Sequence, residues 1–482
     1  MLMQLNIEMP LIIETLKDKT FMKIKFGTDG WRAIIAQDYT VDNVARVTVA
    51  ASQWLNDNFD NPSVVIGNDC RFAGPLFAET AAKVFNHFGI KVTMADRFVS
   101  TPMLSLGVVE LKADLGVVIT ASHNPPEYNG YKLKGNFGGP LLSDDIQAVE
   151  DIIPDTHGLD LKSLTIDGVE TADLVQMYLD KAKANFDLEA INNSDFNWGY
   201  DAMYGAGREA VPALLPKTTL FHCTNNPGFK GTAPEPIHRN LLEFSEYIKT
   251  TGKIDCGLAT DGDADRIGLY NSKGDFIDSH HIILLLIHYL VKYKGMNGKI
   301  VTAFSCSVKV EQMCKHYGLE HEIVKVGFKH VAGVMLKEDV LLGGEESGGV
   351  AIKGHIPERD GIWMGLVIWE YMAKTGKSLD DLIQEVYDIV GEFAFERIDL
   401  HLDEAKKLEI VENCEKGVYT AFGDMPIVKT ETIDGFKYYF DADSWIMIRP
   451  SGTEPVLRTY AEAKNQAKCF EILKKVHQAL LD

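Results

Sequence analysis

Paired cysteines are missing. The seven present, Cys70, Cys223, Cys256, Cys306, Cys314, Cys414 and Cys469, are scattered, odd in number and form no C-x-x-C pair. That pattern argues against a zinc ribbon or a disulfide framework and fits a reducing cytoplasm. Long hydrophobic runs are missing too. The longest, Ile282 to Ile287 extended through His288 to Val291, is about half of the ~20 residues a membrane span needs and reads as a buried helix. Basic residues are in deficit, 48 Lys and Arg against 69 Asp and Glu for a net charge of -21. A general nucleic-acid surface is thereby excluded, and an anionic small substrate would need a locally basic pocket. The chain contains no G-x-x-x-x-G-K-[ST] element and no G-x-S-x-G elbow, so neither a P-loop kinase nor an elbow hydrolase is indicated. The apolar patch Met9 to Ile13 has no basic leader or small-residue cleavage site, so no signal peptide is expected. Met22 followed by Lys23 reads as an alternative start, with residues 1–21 an extension.

What is present is a 482-residue chain, 46% apolar and 24% charged, long enough for several globular domains. Three stretches repeat one order of apolar strands followed by polar or Gly-rich loops. The first runs Ser63 to Ile66, Ile90 to Met94 and Leu115 to Ile119. The second runs Tyr200 to Met203, Thr219 to Cys223 and Cys256 to Ala259. The third runs Lys299 to Ala303, Glu322 to Val326 and Val340 to Leu342. Helix-like segments lie between them, such as Leu76 to Phe88 and Val308 to Tyr317, so each stretch predicts an α/β layer with a mostly parallel sheet. The tail changes rhythm: a strand over Ala394 to Leu402, a helix over Glu404 to Lys416, strands near Gly435 to Phe440 and Ser444 to Ile448, and a terminal helix, an α+β arrangement. The expected domains are 22–188, 189–296, 297–391 and 392–482. In such sheets ligands sit beyond the carboxyl ends of the strands, which predicts one cleft fed by one loop from each domain.

Those loops carry the chemistry. Thr120-Ala121-Ser122-His123-Asn124-Pro125-Pro126 follows an apolar strand and presents a serine hydroxyl, although adjacent strand-like side chains point to opposite sides, which would keep His123 from acting as its base. Asp261-Gly262-Asp263-Ala264-Asp265-Arg266 offers three carboxylates that converge on one hard cation if the loop curves. An EF-hand is excluded, because Arg266 stands where the glycine belongs and Ser272 where the bidentate glutamate belongs. Gly343-Gly344-Glu345-Glu346-Ser347-Gly348-Gly349 supplies acceptors suited to sugar hydroxyls. Arg449-Pro450-Ser451-Gly452-Thr453-Glu454-Pro455 with Arg458 suits a phosphate dianion, and Lys25-Phe26-Gly27-Thr28-Asp29-Gly30-Trp31-Arg32 has the same flavour.

Together and in this order, T-A-S-H-N-P, D-G-D-A-D-R, G-E-E-S-G-G and R-P-S-G-T-E-P-x-x-R resemble the alpha-D-phosphohexomutase superfamily, whose common members are phosphoglucomutase and phosphomannomutase. The resemblance spans roughly Lys23 to Ala463. It implies a heart-shaped enzyme of three related α/β domains and a fourth α+β domain. It further implies a phosphoryl group carried on Ser122, Mg²⁺ on Asp261, Asp263 and Asp265 beside Ser122, and Arg32, His123 and Lys132 near the transferring phosphoryl. Glu345, Ser347 and Arg359 would contact the sugar. Arg266, Arg449, Ser451, Gly452, Thr453 and Arg458 would hold phosphate. The implied substrate is a hexose phosphate, glucose 1-phosphate and glucose 6-phosphate first, with a hexose 1,6-bisphosphate as intermediate and activator, in a cytoplasmic monomer or homodimer that binds neither nucleic acid nor membrane. The alternatives are phosphomannomutase, phosphoglucosamine mutase and a phosphosugar-binding protein without catalysis. A phosphohydrolase is disfavoured, because Asp265 stands where D-x-D-x-[TS] has Thr or Ser. Two departures are visible: Gly349 stands where many bacterial members have histidine, and Arg359 where a lysine is common in the phosphoglucomutase branch. An arginine, with a pKa above ~12, is a poor proton donor.

Overall fold

A computed structural model describes residues 22–450 and 456–481. Three α/β units and one antiparallel unit follow one another along the chain. The first sheet has the spatial order Trp31–Ile34, Tyr128–Gly135, Leu115–Ile119, Ser63–Asn68, Lys91–Ala95, Glu170–Ala172. The second runs Phe276–Ile277, Ile267–Asn271, Cys256–Thr260, Trp198–Asp201, Thr219–Phe221, and the third His321–Val324, Lys299–Ala303, Val340–Gly344, Val350–Ile352.

One pattern recurs in all three. Leu115–Ile119, Cys256–Thr260 and Val340–Gly344 each pair in parallel on one side and antiparallel on the other, with the strand that follows in sequence. All three are buried at every position, as strands covered on both faces must be, which is why they read as unbroken apolar runs. The serine, aspartate and glutamate loops are the turns between these strands and their antiparallel returns. Each loop is therefore pinned at its start to an inner strand of a sheet and at its end to the strand hydrogen-bonded beside it.

Several boundaries differ from expectation. The second unit's first strand is Trp198–Asp201, not Tyr200 to Met203, because Met203 and Tyr204 adopt positive φ (46° and 61°), which no strand can continue through. The returning strand Tyr128–Gly135 was not foreseen; its glycines and lysines mask it, yet it carries Lys132 and Lys134 fully buried. The apolar helix is Ser279–His288, buried at every residue, and continues as a π turn Tyr289–Tyr293.

The fourth sheet is wholly antiparallel, in the order Ala394–His401, Val456–Ala463, Trp445–Pro450, Phe436–Tyr439, Lys429–Glu431. The helix Gln466–Leu481 packs on it through Cys469, Ile472, Leu473 and Val476. Its second strand, Val456–Ala463, was missing from the sequence reading, so Arg458 lies on a strand and not in a loop. One apolar core runs without a break through Leu104, Leu258, Ile283, Leu342 and Trp369, joining the first three units. That shared core fixes their loops relative to one another.

Candidate active site

The serine loop closes on itself before anything else touches it. Ser122 N–H donates to Thr120 Oγ1 at 3.0 Å, and Asn124 N–H donates to the Ala121 carbonyl at 3.0 Å. Ser122 itself sits at φ 50°, a left-handed conformation that costs a non-glycine residue about 1–2 kcal/mol. This turn breaks the strand alternation on which the sequence reading relied. His123 does not point away: its Nδ1 lies 3.3 Å from Ser122 Oγ. Burial, helped by Arg266, Arg32, Lys132 and Arg71 nearby, pushes the His123 imidazole well below its ordinary pKa, so it is neutral. Arg32 Nη1 donates to Asn124 Oδ1 at 2.7 Å from the neighbouring strand.

The aspartate loop curves as required, with Ala264 at φ 55° turning the chain between the second and third carboxylates. Asp261, Asp263 and Asp265 are completely buried, and each contributes an oxygen within 4.8 Å of the other two. Ser122 Oγ donates to Asp261 Oδ2 at 2.6 Å, which joins the serine to the cluster. Gly262 makes this meeting possible, since a Cβ there would lie 2.5 Å from the Ser122 carbonyl oxygen. Thr101, at the start of the helix Thr101–Glu110, donates its hydroxyl to Asp263 Oδ2 at 2.5 Å.

Lys132 Nζ balances part of this charge, at 2.7 Å from Asp263, 3.0 Å from Asp265 and 2.7 Å from Asp29. Burial alone would lower its pKa, but Asp263, Asp265 and Asp29 outweigh that and raise it, so Lys132 stays charged. Asp263 Oδ1 and Asp265 Oδ1 are buried with no hydrogen-bond partner among the described residues. Buried acceptors without donors are costly, and three carboxylates at this spacing suit a hard divalent cation with open positions left over. The residues fit such an ion.

The glutamate loop supplies the third wall. Glu345 Oε1 accepts from Gly327 N–H at 3.0 Å, and burial, against the pull of Arg359, raises its pKa to about 7. Ser347 is half-buried beside it. Arg359, which the resemblance places against the sugar, is 3% exposed and enclosed by carboxylates: Asp29 in contact, Asp265 at 2.9 Å, Glu358 at 3.4 Å and Glu345 at 3.9 Å. Its stem explains Gly349, where an added Cβ would lie 2.3 Å from Arg359 Cδ. The aliphatic stem of residue 359 thus fills the space a side chain at 349 would use. Arg266 N–H donates to Asp261 Oδ1 at 3.1 Å, its guanidinium lies 3.8 Å from Glu235, and its backbone bridges to Gly349.

On the fourth sheet Arg449 and Arg458 are direct cross-strand partners, with Asp399 opposite Arg458 on the other side. Asp434 orients Arg449 by accepting from its Nε at 3.0 Å. Arg458 Nε is buried and has no hydrogen-bond partner among the described residues. Two guanidinium groups set side by side repel, and an anion between them removes the conflict. Ser451, Gly452 and Thr453 lie outside the described residues.

Sequence reasoning missed the charges that assemble around these loops. Asp29, 8% exposed, faces Lys132, Arg359 and, at 3.4 Å, Lys134, whose Nζ also meets Glu358 at 2.7 Å. Burial works to raise the Asp29 pKa, yet Arg359, Lys132 and Lys134 hold it well below the carboxylate range. The one available signal was charged residues alternating with glycines and aromatics in otherwise apolar surroundings, as in Tyr128–Gly135.

Comparison with known proteins agrees with this architecture. Family models for phosphoglucomutase/phosphomannomutase match in four pieces: alpha/beta/alpha domain I over residues 23–158, domain II over 176–274, domain III over 278–390 and the C-terminal domain over 403–479. A phosphoglucomutase/phosphomannomutase of Thermococcus kodakarensis is 32% identical, covering 93% of this chain and 96% of its own length. A phosphoglucosamine mutase of Methanococcus vannielii is 32% identical over 87% of this chain and 92% of its own. Among solved structures, a Thermus thermophilus chain described as a candidate phosphomannomutase superimposes with a TM-score of 0.85 at 30% identity, covering 96% of this chain and all of that one. With all four domain models matched in order and relatives aligned over nearly their whole lengths, this chain belongs to the phosphoglucomutase/phosphomannomutase family of phosphohexomutases.

Proposed function

We propose that this phosphohexomutase interconverts glucose 1-phosphate and glucose 6-phosphate, and mannose phosphates less well, through phospho-Ser122 and a hexose 1,6-bisphosphate. The observation that carries the reading is the Ser122 hydroxyl. It is held in a left-handed turn, 2.6 Å from the first of three convergent aspartates, where loops of the first and second units meet.

In the first half of the reaction the Oγ–P bond of phospho-Ser122 breaks as a P–O bond forms to the free sugar hydroxyl, which loses a proton as Ser122 Oγ gains one. In the second half Ser122 Oγ loses that proton and forms a new Oγ–P bond as the bisphosphate's other sugar P–O bond breaks and the sugar oxygen is protonated. Neutral His123 Nδ1, 3.3 Å from Oγ, is the group that takes up and returns the serine proton, while Asp261 Oδ2 orients the hydroxyl by accepting its hydrogen bond. Asp261, Asp263 and Asp265 would hold Mg²⁺, which supplies positive charge at the phosphoryl oxygens. Arg32 and Lys132 add fixed charge beside the transferred group. Glu345 and Ser347 accept from sugar hydroxyls. Arg359, enclosed by Asp29 and Asp265, acts as a rigid charged wall behind the sugar and not as a proton donor. Arg266, Arg449, Arg458 and the loop Ser451-Gly452-Thr453 grip the phosphate that stays. The bisphosphate then turns round and returns its other phosphoryl to Ser122, so one pocket accepts the sugar both ways.

The choice of glucose rests on the G-E-E-S-G-G loop and the sequence around Arg359. A glucosamine phosphate is the second reading, favoured by the name of the Methanococcus vannielii relative. Glucose and mannose differ only at C2, so a loop that grips other hydroxyls separates them by one altered contact, ~1–3 kcal/mol. The test is to supply glucose, mannose and glucosamine 1-phosphates in turn, with Mg²⁺ and a trace of the matching bisphosphate, and follow each 6-phosphate. The highest kcat/KM for glucosamine 1-phosphate would replace the glucose reading. Ser122→Ala should show no turnover with any of the three, and phosphopeptide mapping of the wild type should find the group on Ser122. Turnover by the alanine variant would end the covalent mechanism.

A further inference from the structure

One of the chain's most completely buried side chains is a charged one the mechanism does not use. Arg71, 2% exposed, follows the strand Ser63–Asn68 in the segment Gly67-Asn68-Asp69-Cys70-Arg71. Its guanidinium reaches across to the serine loop and donates to four carbonyl oxygens. Nη2 meets those of Ser122 and Asn124, both at 2.6 Å, and Nη1 meets those of Pro125 at 2.9 Å and Tyr128 at 3.1 Å. The four carbonyls belong to the turn that holds the reacting serine.

Asp69 fixes the guanidinium from behind. Its Oδ1 accepts the Arg71 backbone N–H at 2.9 Å, and its Oδ2 lies 3.4 Å from Arg71 Nε. The same Oδ2 accepts from Thr120 Oγ1 at 2.5 Å, and Thr120 Oγ1 in turn accepts from Ser122 N–H. Both the N–H and the C=O of Ser122 are therefore held by one connected unit. The second unit closes the back, where Phe229, itself 2% exposed, lays its ring 4.9 Å from the Arg71 guanidinium carbon.

We infer that Asp69 and Arg71 are positioning residues that hold Ser122 in its left-handed turn, so that its phosphoryl group lies in line with the sugar hydroxyl. The inference rests on the Ser122 reading given above. A left-handed serine is unfavourable on its own and persists only where its surroundings over-determine it. Here a forked cation satisfies the loop's carbonyls in one geometry, which a lysine, with a compact ammonium head, cannot reproduce. In phosphoryl transfer, where catalysis is mostly alignment, a displacement of about 1 Å costs about 100-fold in rate.

The experiment is single-turnover transfer. Wild type, Arg71→Lys and Asp69→Asn are loaded with ³²P from labelled glucose 1,6-bisphosphate. Each is then mixed with glucose 1-phosphate and Mg²⁺, and loss of label from protein is timed. Arg71→Lys should transfer about 100-fold more slowly and Asp69→Asn about 10-fold more slowly, with KM within about threefold of wild type, because the substrate's own contacts are intact. A variant that is merely less stable would lose active fraction but leave the transfer rate of the labelled protein unchanged, and that result overturns the inference. Should Arg71→Lys fail to fold, Asp69→Asn alone decides, and transfer at the wild-type rate by it refutes the role. If the wild type carries no transferable label on Ser122, the covalent reading itself falls and this inference with it. If the wild type transfers and both variants transfer as fast, only the positioning role falls.

Discussion

Replacing Arg458 by glutamine should weaken hexose phosphate binding while leaving the fold as stable as before. Arg458 and Arg449 face each other across neighbouring antiparallel strands, where like charges cost roughly 0.2–1 kcal/mol. Removing one relieves that repulsion. Arg458 also faces Asp399, but Asp399 keeps two bonds from Arg397, at 2.8 and 2.6 Å, so no carboxylate is orphaned. The two effects oppose, and unliganded stability should move by less than about 1 kcal/mol. Binding has no such offset. A hydrogen bond to a charged group contributes ~1.5–3 kcal/mol, and each ~1.4 kcal/mol is tenfold, so KM should rise about 10- to 100-fold. On the proposed reading the phosphate gripped here is the one not transferred, held alike before and during the reaction, so kcat should change little. The assay is steady-state kinetics with glucose 1-phosphate, calorimetric titration with glucose 6-phosphate, and thermal unfolding without ligand. A KM within about twofold of wild type, or a large loss of unliganded stability with unchanged KM, would refute the assignment of this strand pair to phosphate.

Two further outcomes follow from the same geometry. Stripping divalent metal with a chelator should stop turnover and Mg²⁺ should restore it, and Asp263→Asn should raise the metal concentration required; full activity in metal-free buffer would exclude the aspartate cluster as a metal site. Because burial raises the Glu345 pKa to about 7, the carboxylate proposed to accept sugar hydroxyls forms only as pH rises through that value. kcat/KM should therefore fall as pH drops below about 7, and Glu345→Gln should flatten that limb of the profile; a profile that keeps it would assign the limb to another group.

The sequence by itself disclosed the carriers of chemistry and their order. The serine, aspartate and glutamate loops were legible because each follows a strand buried on both faces, which shows as an unbroken apolar run ending in polar residues. The three-fold recurrence of α/β units was legible for the same reason. Strand ends were less so where the backbone turns left-handed, as at Met203, since no side-chain pattern announces a positive φ. The placement of His123 beside Ser122 depended on the same kind of turn. Other features came from chain segments far apart. Asp29 meets Lys132 and Arg359, and Arg71 reaches the carbonyls of residues 122 to 128. None of these is local. Strand alternation fixes which face a residue takes from its immediate neighbours, but register and the burial of a charge depend on which distant strand arrives alongside. A buried lysine or arginine looks in sequence like any surface cation, and only the packed sheets bring the carboxylates and carbonyls that make its burial tolerable.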